Sequence, residues 1–528
     1  MWVETDSACE VTVLDVATRT FHVQGHHYAL VYIEGLEAGR TYPYSVELNG
    51  VRVWPEPESK YPPSVIRTLG PDETLNLVFG SCRVTLPHEP PYTLRKDDDE
   101  RGFEMDALTA LVRRMTRSPV EEWPHALLFL GDQIYADEVS KGALEYLRSR
   151  RDPNEPPGEQ VADFEEYCRL YWDAWSDPAV RWLLSTVPSA MIFDDHDLHD
   201  DWNTSEEWVR TMRRQSWWNE RVVGGFMSYW IYQHIGNLSP EVLREDELYS
   251  QVHDVDDAAD LLRTFAEHVD RTTEGKQWSY HRDIGGTRLV MMDSRAGRVL
   301  VNSERKMVDD GEWDWIERYA VGDFDHLLLG TSLPVLLGHG MHHLEAWNEA
   351  VCAGAWGNHL ARHGERMRQG LDLEHWAAFE DSFQRLTGLM RKVARGERGK
   401  APATIVVLSG DVHHAYLARA QFRRGTGAKS RVYQAVCSPF RNPLSANERR
   451  VILGGWSRLA RILGGRLARG AGVSPLDVDW RIQHERPWFD NQFATLELKG
   501  RRALLRIEKT VPTDNAPELE TVFEETLA

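Results

Sequence analysis

From about residue 75 onward, short apolar runs alternate with long polar or helical stretches, and almost every run stops abruptly in polar chemistry. The runs are Leu75 to Phe79, Ala126 to Leu130, Ala190 to Phe193, Leu289 to Met292, His326 to Leu329, Thr404 to Leu408 and Val432 to Val436. They end in Gly80-Ser81-Cys82, Gly131-Asp132, Asp194-Asp195-His196, Asp293-Ser294-Arg295, Gly330-Thr331-Ser332, Ser409-Gly410-Asp411 and Cys437-Ser438. Runs of this length and texture predict buried strands in an α/β architecture. Open α/β folds bind ligands at the carboxyl edge of the sheet. So many endings in Cys, Asp and His therefore predict one shared site at that edge.

At 528 residues the chain exceeds the size of one hydrophobic core, so two or three units are expected. The net charge of −21 lacks the basic footprint of a nucleic-acid binder, and no nucleic-acid partner is expected. A small phosphorylated substrate stays compatible, because bound cations reverse a local field. Five widely spaced Cys make no disulfide framework, and no run of about 18 apolar residues reads as a membrane span. Met1-Trp2-Val3-Glu4 lacks the basic and apolar regions of an export signal, so the chain as written is expected in the cytoplasm. Oligomeric state leaves no signature.

Residues 1–70 read as short strands and turns, with Val11 to Val16, Thr20 to Val23 and Tyr28 to Ile33 rich in β-branched and aromatic residues. The corner from Gly35 to Tyr42, followed by Tyr44 to Leu48 and a turn at Asn49-Gly50, resembles the end of a fibronectin-type sandwich. Trp2-Val3-Glu4 looks like the second strand of such a domain, so the expectation is either a trimmed domain or a true start that lies upstream. The aromatic series Tyr167, Tyr171, Trp172, Trp175 and Trp182 reads as a packed helical layer rather than a cofactor box.

Four segments carry the chemistry. Asp132 follows a buried run, where a carboxylate is costly unless paired or bound to cations, and Tyr135 lies three residues on. Asp411 and His413 share a side of an extended or loop segment, while His414 reads as a supporting or structural residue. Asp194, Asp195, Asp197, Asp200 and Asp201 repel one another strongly unless cations lie among them. Cys82 alone would be a small buried hydrophobe; beside these motifs it reads as a ligand.

Gly-Ser-Cys at 80–82, Gly-Asp-x-x-Tyr-Ala-Asp at 131–137, Asp-Asp-His-Asp at 194–197 and Ser-Gly-Asp-x-His at 409–413 stand in this order. Together they resemble the PhoD-like alkaline phosphatase D family of the calcineurin-like metallophosphoesterases, over about residues 75–510. The resemblance implies a metallophosphoesterase-type αββα sandwich with large helical insertions over 71–528, preceded by a small fibronectin- or Ig-like β-sandwich over 1–70. It implies two metal ions, iron plus calcium, with manganese or zinc as alternatives. Asp132 would bridge them; Cys82, Tyr135 and His413 would complete the iron-like site; Asp195 and Asp411 would hold the second ion; and His196 would assist the leaving group. Asp194, Asp200, Asp201 and His414 are further metal or supporting candidates. The expected reaction is in-line attack of a metal-activated hydroxide on a phosphomonoester or phosphodiester. A phospholipase-like phosphodiesterase and a non-catalytic binding protein on the same fold are the alternatives. The sequence departs from the family in Asp197, where many relatives have Glu, and in the extra charge of Asp200 and Asp201.

Three readings complete the survey. Arg83, Arg295 and Arg441 follow strand ends and are candidates for binding phosphate oxygens. His339, His342 and His343 read as a substrate-side loop, with Glu345 the one carboxylate spaced for an added metal site. The basic segment 449–470 can be drawn as an amphipathic helix, a pattern that suits an anionic membrane. Its glycine pairs weaken that helix, so a lid over 445–475 or a packed surface helix is expected ahead of membrane contact through 449–470, which stays the alternative.

Overall fold

The computed structural model describes residues 1–272, 277–301, 304–423, 427–512 and 517–528. Two large mixed sheets dominate it. The first has six strands in the order Ser189–Met191, Ala126–Phe129, Leu75–Gly80, Gln492–Lys499, Arg502–Val511 and Glu518–Thr526. Its first three strands run parallel. The second has seven, in the order Tyr280–Ile284, Thr287–Met291, His326–Gly330, Thr404–Ser409, Arg431–Val436, Tyr416–Phe422 and Val478–Ile482. The four strands from Thr287–Met291 to Arg431–Val436 are parallel neighbours.

Alternation along the strands explains the layering. Leu77, Phe79 and Leu128 of the first sheet share a core with Leu289, Met291, Leu328, Val406 and Leu408 of the second. The intervening Val78, Leu127 and Phe129 pack with residues of helices Ala107–Met115 and Pro178–Thr186. On the second sheet, Val290, Leu327, Leu329, Ile405 and Val407 pack with helices Asp310–Tyr319 and Glu380–Arg395. Strands buried on both faces need continuous apolar sequence, which is why the runs are unbroken. Among the described residues no helix is long and apolar enough to cross a membrane.

Residues 1–67 form three small sheets around Val11, Val13, Ala29, Val31, Tyr44 and Val46. The expected single run from Val11 to Val16 is instead two strands, Glu10–Val13 and Val16–Arg19. Leu14 and Asp15 adopt left-handed backbone (φ 46 and 64) and turn the chain back on itself. Trp2–Thr5 pairs antiparallel with His26–Leu30. Asn49 and Gly50 make the anticipated hairpin turn, both with positive φ.

This region is fastened to the helical layer. Phe21, Val23, Tyr28 and Leu30 join the main core, and the Trp2 ring meets Trp175 edge-on at 5.9 Å. His26 bridges two carboxylates, with Nδ1 2.9 Å from Glu4 and Nε2 3.0 Å from Glu165 of helix Phe164–Trp175. Contact with Cys168, Glu165 and Glu4 pushes the His26 pKa up from 6.5 to about 12. Chiefly through His26, the Glu165 carboxyl is held down from 4.5 to about 2. A raised histidine pKa stabilises fully below pH 6.5, and that stabilisation fades as pH rises toward 12. On the acid side, the Glu165 contribution is lost as pH falls below 4.5 toward 2. Urea unfolding of the native chain beside His26→Ala should therefore show a smaller stability difference at about pH 9 than at about pH 6. Equal differences would contradict the clasp.

Candidate metal centre

The parallel strands of both sheets bring their carboxyl ends together, and hydrogen bonds tie the two edges. The Asp411 amide after Thr404–Ser409 donates to Ser81 Oγ after Leu75–Gly80 (2.9 Å). Arg295, after Thr287–Met291, donates from Nε to Asp194 Oδ1 after Ser189–Met191 (2.6 Å). The approach is close: a Cβ on Gly410 would lie 2.1 Å from Ser81 Oγ, so this position excludes a side chain. Cys82, Asp411 and His413 all adopt left-handed backbone, at φ 57, 65 and 50. Such positions carry strain that the surroundings must hold. Of the extended or loop conformations open to it, the segment of Asp411 and His413 takes a kinked loop.

Arg295 is the electrostatic centre. Its guanidinium is fully buried and contacts Asp194, Asp195 (3.1 Å), Asp411 (3.3 Å) and Glu374. Glu374 also binds Arg298 (3.0 Å). A second buried cation lies beside Asp411: His375 Nε2 is 3.5 Å from Asp411 Oδ2, and its Nδ1 is 2.7 Å from Glu345. Burial alone would lower the His375 pKa, but Glu345 and Asp411 outweigh it and raise it well above the ordinary value. Burial would raise the Asp411 carboxyl; His375 and Arg295 overcome that and hold it ionised.

Even so, carboxylate oxygens are left over. Among the described residues, Asp132 Oδ1, Asp194 Oδ2 and Asp201 Oδ1 are buried with no hydrogen-bond partner. Burial, reinforced by Asp194, drives the Asp132 pKa well above its ordinary value. Burial does the same to Asp194, and it raises Asp200 to about 7 and Asp201 to about 9. Groups so placed ionise cheaply only beside a cation. One ligand atom from each of Asp132, Asp194 and Asp195 falls within 4.8 Å of the others, and Asp195, His196 and Asp200 make a second such group. This acidic cluster fits a metal ion. The softer donors adjoin it: burial and then the charges of Asp132 and Asp411 raise the Cys82 thiol, and Tyr135 responds to burial, Cys82 and Asp132. Asn442 Nδ2 donates to the Tyr135 phenol (3.3 Å). Burial lowers His413 to about 4, leaving its imidazole neutral and able to ligate at neutral pH.

His196 is held differently. Its Nδ1 lies 2.8 Å from Asp137 Oδ1, its Nε2 is 3.7 Å from Asp200, and its ring is 4.8 Å from that of Tyr135. Burial opposes its charge, but Asp137, Asp195 and Asp132 raise its pKa well above the ordinary value. Asp197 serves the backbone, accepting from the amides of Gln133, Ile134 and Asp194, each at 3.2 Å.

The remaining candidate residues take these partners. Arg83 pairs with Asp106 at 2.8 Å and donates to the Ala174 carbonyl, and Arg441 donates to the Leu86 and Pro87 carbonyls. Both guanidinium groups anchor loops, and Arg295 neutralises carboxylates; none of the three is a free phosphate hook. His414 is buried with Nδ1 2.6 Å from the Val412 carbonyl, a structural role. The histidine loop is the start of helix His339–Cys352, where His339 stacks on Trp480 and His342 packs against Phe383 and Trp480. Glu345 turns instead to His375. Glu374 and His375 carry no sequence signal because no strand precedes them; Asp137 carries one, as the last residue of the 131–137 motif.

Replacing Arg295 by Met would strip four carboxylates of their shared cation. Breaking such a buried pair costs about 3–5 kcal/mol. Arg295→Met should lose at least about 3 kcal/mol in urea unfolding, and a loss below about 1 kcal/mol would contradict this account.

A family model described as a PhoD-like phosphatase matches residues 108–447, and one described as a domain of unknown function (DUF7800) matches residues 1–66. A solved structure titled "Structure of PhoD" aligns with a TM-score of 0.56 at 11% identity, covering 99% of this chain and 86% of that one. That likeness is one of fold. No curated protein matches the chain. The phosphatase model spans more than half the sequence and supports a phosphoric ester hydrolase. The chain belongs to the PhoD-like phosphatase family.

Proposed function

We propose that the carboxyl-edge cluster hydrolyses phosphoesters of small substrates with the help of two metal ions. The observation that carries this reading is the set of buried oxygens on Asp132 and Asp194, without a partner among the described residues, close to a His196 held by Asp137. Cys82, Asp132, Tyr135 and His413 would hold one ion, a donor set that suits iron. Asp132, Asp194 and Asp195, with Asp411, would hold the other, an oxygen-rich set that suits calcium or manganese. When bound, the ions supply Lewis acidity, a lowered water pKa and neutralisation of phosphoryl charge.

The chain's own residues do the rest. Asp137 accepts the Nδ1 proton of His196 and keeps the imidazole charged, so Nε2 carries a proton for the departing alkoxide. Asp197 fixes the turns that present Asp132 and Asp194, through the three amides it accepts. Arg295 and His375 keep Asp194, Asp195 and Asp411 from repelling one another out of position. Layer order and the convergence of strand ends support a metallophosphoesterase-type αββα sandwich.

Hydrolysis of p-nitrophenyl phosphate and its bis-ester, with iron and calcium or manganese supplied, tests the reading. Asp132→Ala should abolish turnover, and the ratio of the two native rates assigns monoester or diester preference. His196→Gln should lose about 10²–10⁴-fold on an alkyl ester, whose leaving group needs a proton, and less on the nitrophenyl ester. Turnover undiminished in Asp132→Ala, or no turnover of any ester, would overturn the proposal in favour of a binding role.

A further inference from the structure

Segment 446–470 folds as two helices, Ala446–Gly455 and Arg458–Gly470, and the second is amphipathic in an inverted sense. Its small residues face the protein. Ala460 packs so closely on helix His339–Cys352 that a Cβ on Gly340 would come within 2.7 Å of it. Gly464 lies against His343, and Ala468 is buried. Its large residues face outward: Leu459, Ile462, Leu463 and Leu467 are 65, 52, 48 and 44% exposed. Their spacing of three and four makes one continuous apolar stripe. The exposed Trp356 extends it, donating from Nε1 to the Gly470 carbonyl at the helix end. Leucines turned to water oppose folding of an isolated chain, and contiguous patches of this kind mark interaction surfaces.

Charge selects the occupant. The whole chain carries −21, yet 446–470 holds six arginines and one acidic residue, Glu448. Arg449 pairs with Asp97 and Arg461 with Asp479. Among the described residues, Arg450, Arg458, Arg466 and Arg469 make no ion pair with a carboxylate. Unpaired guanidinium groups flanking an apolar stripe match an anionic lipid surface, with hydrocarbon for the leucines and headgroup phosphates for the arginines. A nucleic acid would leave the leucines in water.

We propose that the hairpin 446–470 docks the protein on an anionic bilayer. It is rooted at the metal centre. Asn442, which touches Tyr135, lies four residues before the first helix, and Trp456 between the helices stacks edge-on to His414 and Tyr416 at 6.0 and 5.3 Å. Docking would hold the loop of Asp411 and His413 next to the lipid surface.

Sedimentation of the full chain with phosphatidylcholine vesicles, with and without phosphatidylglycerol, tests this. The protein should pellet with the anionic vesicles alone and be released by salt. Leu459→Ser/Ile462→Ser/Leu467→Ser should weaken partition at least about tenfold, with unchanged circular dichroism and unfolding midpoint. Arg458→Glu/Arg466→Glu should weaken it independently. Protein left in the supernatant with anionic vesicles, or a triple-serine variant that pellets like the native chain, would overturn the proposal. So would light scattering showing a dimer that the triple-serine variant splits, since a second copy would then cover the face.

Discussion

The structure turns on one buried guanidinium. Arg295 lies wholly out of solvent and touches Asp194, Asp195, Glu374 and Asp411, which arrive from three separate parts of the chain. Without that charge the carboxyl ends of the two sheets could not approach, because buried like charges repel strongly at these distances. Arg298 and His375 extend the compensation to Glu374 and Glu345. The neutralisation is incomplete. Among the described residues, Asp132 Oδ1 and Asp194 Oδ2 have no donor, and burial pushes both carboxyls toward the protonated form. Buried carboxylate oxygens of this kind, gathered from two loops within reach of one another, suit a cation between them.

Geometry and function share the same devices. The left-handed backbone at Cys82, Asp411 and His413 and the tight packing of Gly410 on Ser81 depend on the hydrogen bonds that join the two edges. The strained residues follow parallel strands that are buried on both faces. Loops 131–137 and 194–201 are tied together through Asp197 and Asp137, so Asp132 and His196 are positioned by one network.

Much of this was legible in the sequence, for a physical reason. A strand buried on both faces needs an unbroken apolar run, and the polar residue that ends it marks the sheet edge, so Cys82, Asp132, Asp195 and Asp411 could be placed together. Side chains that act through pairing were not legible. Arg83, Arg295 and Arg441 occupy equivalent places after strands, yet tertiary partners alone make one the hub of the centre and the others loop anchors. Glu374 and His375 come from a helical insertion with no strand to flag them. The apolar-rich stretch Val11 to Val16 looked continuous because Leu14 and Asp15 give no warning of their left-handed turn. Segment 449–470 read as a weak amphipathic helix; which face would lie inward depended on the glycines and alanines that fit against helix His339–Cys352.

Chelation tests the central claim, that the leftover carboxylates form a cation site. A ligand present at one hundred times its Kd stabilises the folded state by about 2.7 kcal/mol. Protein stripped with a chelator should unfold at lower temperature and recover when a divalent metal is returned, while Asp132→Ala should respond to neither. An unfolding midpoint of the native chain that is the same with chelator and with metal would contradict the account.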